Sequence, residues 1–180
     1  AEAVCSDFLT RVPSAYSVRT SLAELLVGDD RVTDAIAAFG DLQQVPADYR
    51  PVANFLLGMA AAEDADWRTA LARLTEARAA GYAPTVLLLR LANVLVRMGS
   101  SHDAEAILRG LIKTEPNNPL PYQQLADAFR ATGRAAEAQT ILDHVHKKFP
   151  KPHFASVRPQ APADEFAPAA GRSRPGESAR

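Results

Sequence analysis

The sequence predicts an all-α chain, a solenoid of about four helix-turn-helix repeats with part of a further repeat at its N-terminus. Three observations carry this. Residues of matching chemical class recur every 34 positions. Within each period, small and large apolar residues keep fixed places at helical spacing. Glycine and proline stand where one helix should give way to the next.

The recurrence is plainest from the C-terminal side. Tyr122, Leu125, Ala126, Phe129, Gly133, Ala138, Leu142, Val145 and Pro150 form one set. Subtracting 34 gives Leu88, Leu91, Ala92, Leu95, Gly99, Ala104, Leu108, Leu111 and Pro116, each in the same chemical class. A second subtraction of 34 reaches Leu57, Gly58, Ala61, Ala70, Leu74 and Ala77, with Ala65 where the turn glycine stood. A step of 35 then gives Leu22, Ala23, Leu26, Ala35, Phe39 and Leu42. Any helical bundle shows 3.6-residue periodicity, but a generic bundle does not repeat whole helix pairs at a fixed distance.

Each part of the pattern has a physical role. Ala92, Ala104, Ala126 and Ala138 let helix axes approach closely, and Leu91, Leu95, Leu108 and Leu111 fill the space between them. Gly99 and Gly133 suit helix C-termini, where a left-handed residue is easiest for glycine. Ser100 with Asp103, and Asp30 with Thr33, read as helix starts. Pro116 and Pro150 end the second helices.

The stretch TEPNNPLPYQQLADAFRATGRAAEAQTILDHVHKKFP carries the pattern most fully, including a Pro116-Asn117-Asn118 junction. In it the chain resembles the tetratricopeptide repeat (TPR) family. The resemblance spans about residues 16–150 and is weaker in the first two repeats, which depart from the pattern at the turn. It implies a right-handed solenoid with repeats at about 16–50, 51–84, 85–118 and 119–150. It also implies a concave surface lined by the first helix of each repeat.

The two ends differ from this body. Shifting the register back by another 34 maps Ala35, Phe39, Leu42 and Ala47 onto Ala1, Cys5, Phe8 and Pro13. Residues 1–15 therefore read as the second helix of a partial upstream repeat, or as a capping helix, with the helix at about 2–12. Residue 1 is alanine, so the chain is expected to be a processed product or a piece of something longer. Residues 151–180 are rich in Pro, Ala, Ser and Arg, with scattered apolar residues, and are expected to be a disordered tail. The sharper alternative is that Phe154 or Phe166 anchors this tail in the solenoid's own groove.

Composition limits the function classes. The formal net charge is −1, with both signs spread along the chain, so no global field draws nucleic acid or an anionic membrane. No apolar run approaches the roughly 20 residues that span a bilayer; the stretch Val86 to Val96 is broken by Arg90 and Asn93. The one cysteine allows no internal disulfide. No targeting segment is legible, which leaves bacterial cytoplasm and periplasm equally open.

The sequence offers no catalytic constellation and no cofactor motif, and the chain reads as a non-enzyme. Phosphate loops, nucleophile elbows and zinc spacings are missing. Ser101-His102-Asp103 has triad residue types, but sequential neighbours on a helix do not face one another. His144, His146 and His153 are better read as exposed side chains than as metal ligands. Glu63, Asp64 and Asp66 lack the length and glycine of a calcium loop. Cys5 reads as a small core residue, and Trp67 as packing between repeats.

A partner would then sit on the inward positions of the first helices. These are Val52, Phe55 and Met59 in the second repeat, and Val86, Leu89, Asn93, Val96 and Arg97 in the third. In the fourth they are Leu120, Gln123, Asp127 and Arg130. The expectation is a groove with an apolar middle at Phe55, Met59 and Leu89 and a polar C-terminal end. Asn93 would hold an extended peptide backbone, and Arg97 and Arg130 would meet carboxylates. The family's clamp for a C-terminal carboxylate needs lysines and asparagines at inward positions. Here Thr20, Glu24, Phe55 and Met59 stand there, so the clamp is not carried over.

The leading functional expectation is a protein-interaction module that takes a peptide or helical segment in its groove, as scaffold or adaptor. The alternatives are an accessory domain of a larger enzyme or secretion-assembly protein, a small secretion chaperone, and a homo-oligomeric scaffold.

Overall fold

The computed structural model describes residues 1–12 and 14–149. The expectations for the tail, for its Phe154 and Phe166, for His153 and for the terminators Pro13 and Pro150 lie outside the described residues. Among the described residues the regular structure is all helical. The helices are α1 (Glu2–Arg11), α2 (Tyr16–Gly28), α3 (Val32–Phe39), α4 (Arg50–Glu63), α5 (Trp67–Ala79), α6 (Thr85–Arg97), α7 (Ser101–Thr114), α8 (Leu120–Ala131) and α9 (Ala135–Lys148). A single 3₁₀ turn, Ala47–Tyr49, leads into α4.

From α2 onward the helices pair as first and second members: α2 with α3, α4 with α5, α6 with α7, α8 with α9. Each second helix also packs on the first helix of the next pair, which makes the stack continuous. The fixed small positions lie where the sequence places them: Ala23, Ala35, Ala70, Ala92, Ala104 and Ala126 are completely buried. Among the described glycines, Gly58 marks the closest approach. A Cβ there would lie 2.8 Å from Leu74 Cγ, so α5 seats directly on the α4 backbone.

The three-residue turns between first and second helices share one backbone device. The same turn position carries a positive φ in every pair: 61° at Asp30, 57° at Ala65, 81° at Gly99 and 74° at Gly133. Glycine adopts this left-handed conformation freely, whereas Asp30 and Ala65 hold it against their Cβ atoms. The tertiary arrangement thus imposes the turn even where the glycine has been lost. Asp30 is therefore a turn residue and not a helix start. The residue flanking α3 is Arg31, and neither it nor Ser100 caps its helix through its side chain. Asp66 does cap: its carboxylate accepts from the Thr69 backbone N–H at 3.1 Å, and the Thr69 side chain first, then this backbone bond, hold it below its ordinary pKa.

A recurring ion-pair staple joins neighbouring second helices. Arg134, at the start of α9, meets Glu105 of α7 at 2.8 Å and Glu137 at 2.6 Å, with its guanidinium 4.1 Å from the Phe129 ring centroid. Arg31, at the start of α3, meets Glu2 of α1 at 2.8 Å and Asp34 at 2.7 Å. Arg31, Asp34 and Glu2 occupy the same places in the repeat as Arg134, Glu137 and Glu105.

Candidate functional site: the face shared by the first helices

The inward positions of α4, α6 and α8 fall i, i+3 and i+7 apart, and so lie on one face of each helix. They differ sharply in exposure along the stack. On α4, Val52 is buried, and Phe55 and Met59 retain no solvent-exposed surface. Leu89 of α6 is also buried. The expectation of an open apolar middle at Phe55, Met59 and Leu89 is thereby corrected: these side chains are core.

Tyr82 explains much of the closure. It stands in the loop between α5 and α6, at the repeat position that holds Pro116 in the following pair. Gly81, with φ 86°, turns the chain so that the tyrosine comes back over α4. Its ring lies 5.6 Å from the Phe55 ring, and its hydroxyl donates to the Glu24 carboxylate at 2.6 Å. The loop after the second pair therefore reaches back across the inward positions of α4 to α2. Burial, and then the bond to Glu24, push the Tyr82 phenol well above its ordinary pKa, so it remains a neutral donor. The sequence signal was available: a 34-residue register that puts tyrosine where proline belongs.

Beyond Tyr82 the face opens. Val86, Asn93 and Val96 of α6 are half-buried, and Arg97 is exposed. The Arg97 guanidinium lies 5.8 Å from the ring centroid of half-buried Trp67, so this contact joins the second and third pairs. On α8, Gln123 is half-buried while Leu120, Asp127 and Arg130 are exposed. Leu120 is a large apolar side chain left 41% exposed at the very start of its helix. Its backbone N–H donates to Asn118 Oδ1 at 3.1 Å, and Asn118 donates to Glu115 at 2.9 Å. Glu115 also accepts from the Thr85 hydroxyl at the start of α6. Both donors hold the Glu115 carboxyl below its usual range. The loop that presents Leu120 is thus tied to α6 by a negative charge with two donors.

Arg130 and Asp127 meet at 3.2 Å. Both are exposed, and such a pair is worth about 0.2–0.5 kcal/mol. A ligand carboxylate would displace Asp127 from Arg130 at little expense. The face between α6 and α8 therefore combines an apolar strip (Val86, Val96, Leu120), two amides (Asn93, Gln123) and exposed guanidiniums. Two depressions lie elsewhere on the described residues. One of about 390 Å³ opens between α5 and α7 over Leu71, Leu91, Leu95 and Ile107, and a neighbouring one of about 520 Å³ runs along α5 to Met98. Both are shallow surface features, and Leu91 and Leu95, which line the first, belong to the core.

Comparison with known proteins bears on this geometry. A family profile described as the tetratricopeptide repeat matches residues 99–160. Three solved structures share the architecture. A thermophilic TPR protein of Thermus thermophilus aligns over 83% of this chain and 82% of its own, with 20% identity and a TM-score of 0.63. YrrB, a TPR protein with an unusual peptide-binding site, aligns over 83% of this chain and 77% of its own, with 17% identity and a TM-score of 0.59. MamA aligns over 88% and 87%, with 20% identity and a TM-score of 0.57. The fold is an all-α, TPR-like solenoid. Identities this low fix the fold and nothing finer. No curated protein matches the sequence. The TPR fold supports a protein-interaction repeat module, and TPR proteins are in general non-catalytic scaffolds.

The histidines, acids and thiol set aside on sequence are placed as follows. His144 stacks on Tyr122 at 5.5 Å, and His102 and His146 are exposed. Glu63 is exposed, and partial burial raises its carboxyl. Cys5 is half-buried. Among the described residues no group of three or more histidine, cysteine or acidic side chains converges to hold a metal. No described helix is long and apolar enough to cross a membrane.

Proposed function

We propose that this TPR solenoid binds a peptide or helical segment of another protein along α6 and α8, and not across α4. The observation that carries the reading is the change in exposure along the inward face. Tyr82 closes it over Phe55, while Val86, Val96 and exposed Leu120 continue it with amides and guanidiniums at hand. Apolar anchors would settle against Val86, Val96 and Leu120. Asn93 and Gln123 each present a donor and an acceptor to a peptide backbone. Arg97 and Arg130 favour a ligand with acidic residues beside its apolar anchors. Burial of ~300 Å² of apolar surface at about 25 cal/mol per Å² offers several kcal/mol before the ligand's ordering is counted. YrrB, with a similar fold, has a peptide-binding site by its description, which favours this class of ligand.

The test is a paired substitution. Leu120→Asp with Val96→Asp should abolish recovery of the native partner while leaving the circular dichroism spectrum unchanged. Leu71→Asp, in the depression on α5, should leave recovery intact. Partner recovery lost by Leu71→Asp and kept by the double variant would overturn the assignment of the face.

A further inference from the structure

We infer that the outer surface of α5 is a self-association face, on which a second copy of this chain lays its own α5 antiparallel about a two-fold axis at Ala72. The face lies on the second-helix side of the stack, and the inference does not depend on the partner proposed for α6 and α8.

The phase of α5 shows which side is free. Ala70, Leu74 and Ala77 are buried, so Ala72, Thr75 and Ala79 point away from the stack, and all three are exposed. The repeat shows how that outer surface departs from its neighbours. At the places of Thr75 and Ala79, α7 carries Arg109 and Lys113, and α9 carries Asp143 and Lys147. On α5 small uncharged residues replace these solvated charges. Beside them Met98, in the turn after α6, is 39% exposed. These residues and Leu71 line the depression of about 520 Å³, together with Arg68 and Glu76. The depression shares Leu71 and Thr75 with the one toward α7, so the apolar surface continues to Ile107. A contiguous exposed apolar surface of this kind marks a contact.

The charges select the occupant. Arg68 and Glu76 stand four residues to either side of Ala72, and so lie within about 40° of it around the helix. A two-fold axis at Ala72, with the helices antiparallel, sets Arg68 of each copy against Glu76 of the other and makes the pair twice. Both groups are available for this. Among the described residues no carboxylate meets the Arg68 guanidinium. Glu76 meets Arg73 at 3.2 Å, an exposed contact that costs little to give up. A foreign helix would need the same charges in reverse order, whereas a second copy has them by symmetry. Alanine at the axis lets the two helices approach toward the short end of the usual range of about 8–10 Å.

The size of the contact sets its strength. A helix of 13 residues is about 20 Å long and about 10 Å wide, a footprint on the order of 200 Å². That is well below the ~800 Å² per partner of a stable interface, so the dimer is weak, with a dissociation constant of about 0.1 mM.

Sedimentation equilibrium of the full chain from about 10 µM to 1 mM tests this. The molar mass should rise from one chain toward two across that range. Ala72→Arg, at an exposed helical position, brings like charges together at the axis. It should leave a monomer with an unchanged circular dichroism spectrum. Arg68→Glu and Glu76→Arg should each weaken association about tenfold, and the two together should restore it. A chain that stays monomeric throughout would overturn the inference. So would a dimer indifferent to Ala72→Arg, or a double variant no better than the single ones. A dimer lost instead by Phe8→Asp would assign self-association to α1 and contradict it equally.

Discussion

Ala65 offers the sharpest stability test, because it holds a left-handed turn that glycine holds at the same place in two other repeats. A residue with a Cβ gives up about 1–2 kcal/mol in that conformation. Glycine would relieve this while losing about 0.4–1 kcal/mol through its greater freedom in the unfolded chain. Ala65→Gly should therefore stabilise the solenoid by about 0.5–1 kcal/mol, or about 1–4 °C for a domain of this size. The reciprocal variants Gly99→Ala and Gly133→Ala should lose a similar amount. Beyond the chain neighbours, nothing lies within 4 Å of a Cβ built at either glycine, so the loss would report backbone strain alone. Thermal and urea unfolding followed by far-ultraviolet circular dichroism would measure all three. A destabilised Ala65→Gly together with neutral Gly99→Ala would refute the view that one left-handed turn is shared by every pair.

The remaining predictions concern packing and titration. Gly58→Ala should destabilise by about 1–3 kcal/mol in urea unfolding, since its new methyl would meet Leu74 and force α4 and α5 apart. Tyr82→Phe should lose about 1–2 kcal/mol with its bond to Glu24. In alkaline spectrophotometric titration, one of the four tyrosines should resist ionisation until the chain unfolds, and Tyr82→Phe should remove that signal. Because the folded Tyr82 pKa is raised, its contribution is complete below the ordinary tyrosine value of about 10 and fades as pH climbs above it. Glu105 behaves in the opposite sense. Its bonds to Arg134 and Arg109 lower its pKa, so its contribution is present above the ordinary glutamate value and is lost as pH falls through the depressed one. Glu105→Gln should flatten the acid side of the stability profile.

The fold was legible because the repeat states it four times. Leu-Ala pairs, spaced alanines and turn glycines specify the same helix pair, and errors in one copy, such as Ala65, are outvoted by the others. The site was legible only in part. Inward positions follow from helical phase, and on phase alone Phe55 and Met59 face the same way as Gln123. Their burial depends on a loop returning across the face, and phase within a helix carries no information about a loop's path. The departure at Tyr82 from the proline register was the visible trace of it. The helix start expected at Ser100 is found there without a side-chain cap, whereas the one expected at Asp30 falls at Arg31, for a related reason. A short polar side chain before a helix marks a boundary, but here the turns are held by backbone bonds, such as Arg31 N–H to Leu26 and Ser100 N–H to Leu95 at 2.9 and 2.8 Å.

Site-specific photocrosslinking most directly tests where recognition occurs. A photoreactive side chain placed at position 123 on α8, at position 59 on α4 and at position 72 on α5 samples the open face, the closed face and the opposite surface in turn. The solenoid should crosslink its partner from position 123 and not from 59 or 72. Efficient crosslinking from 72 with none from 123 would contradict the account, because the partner would then sit on the second helices.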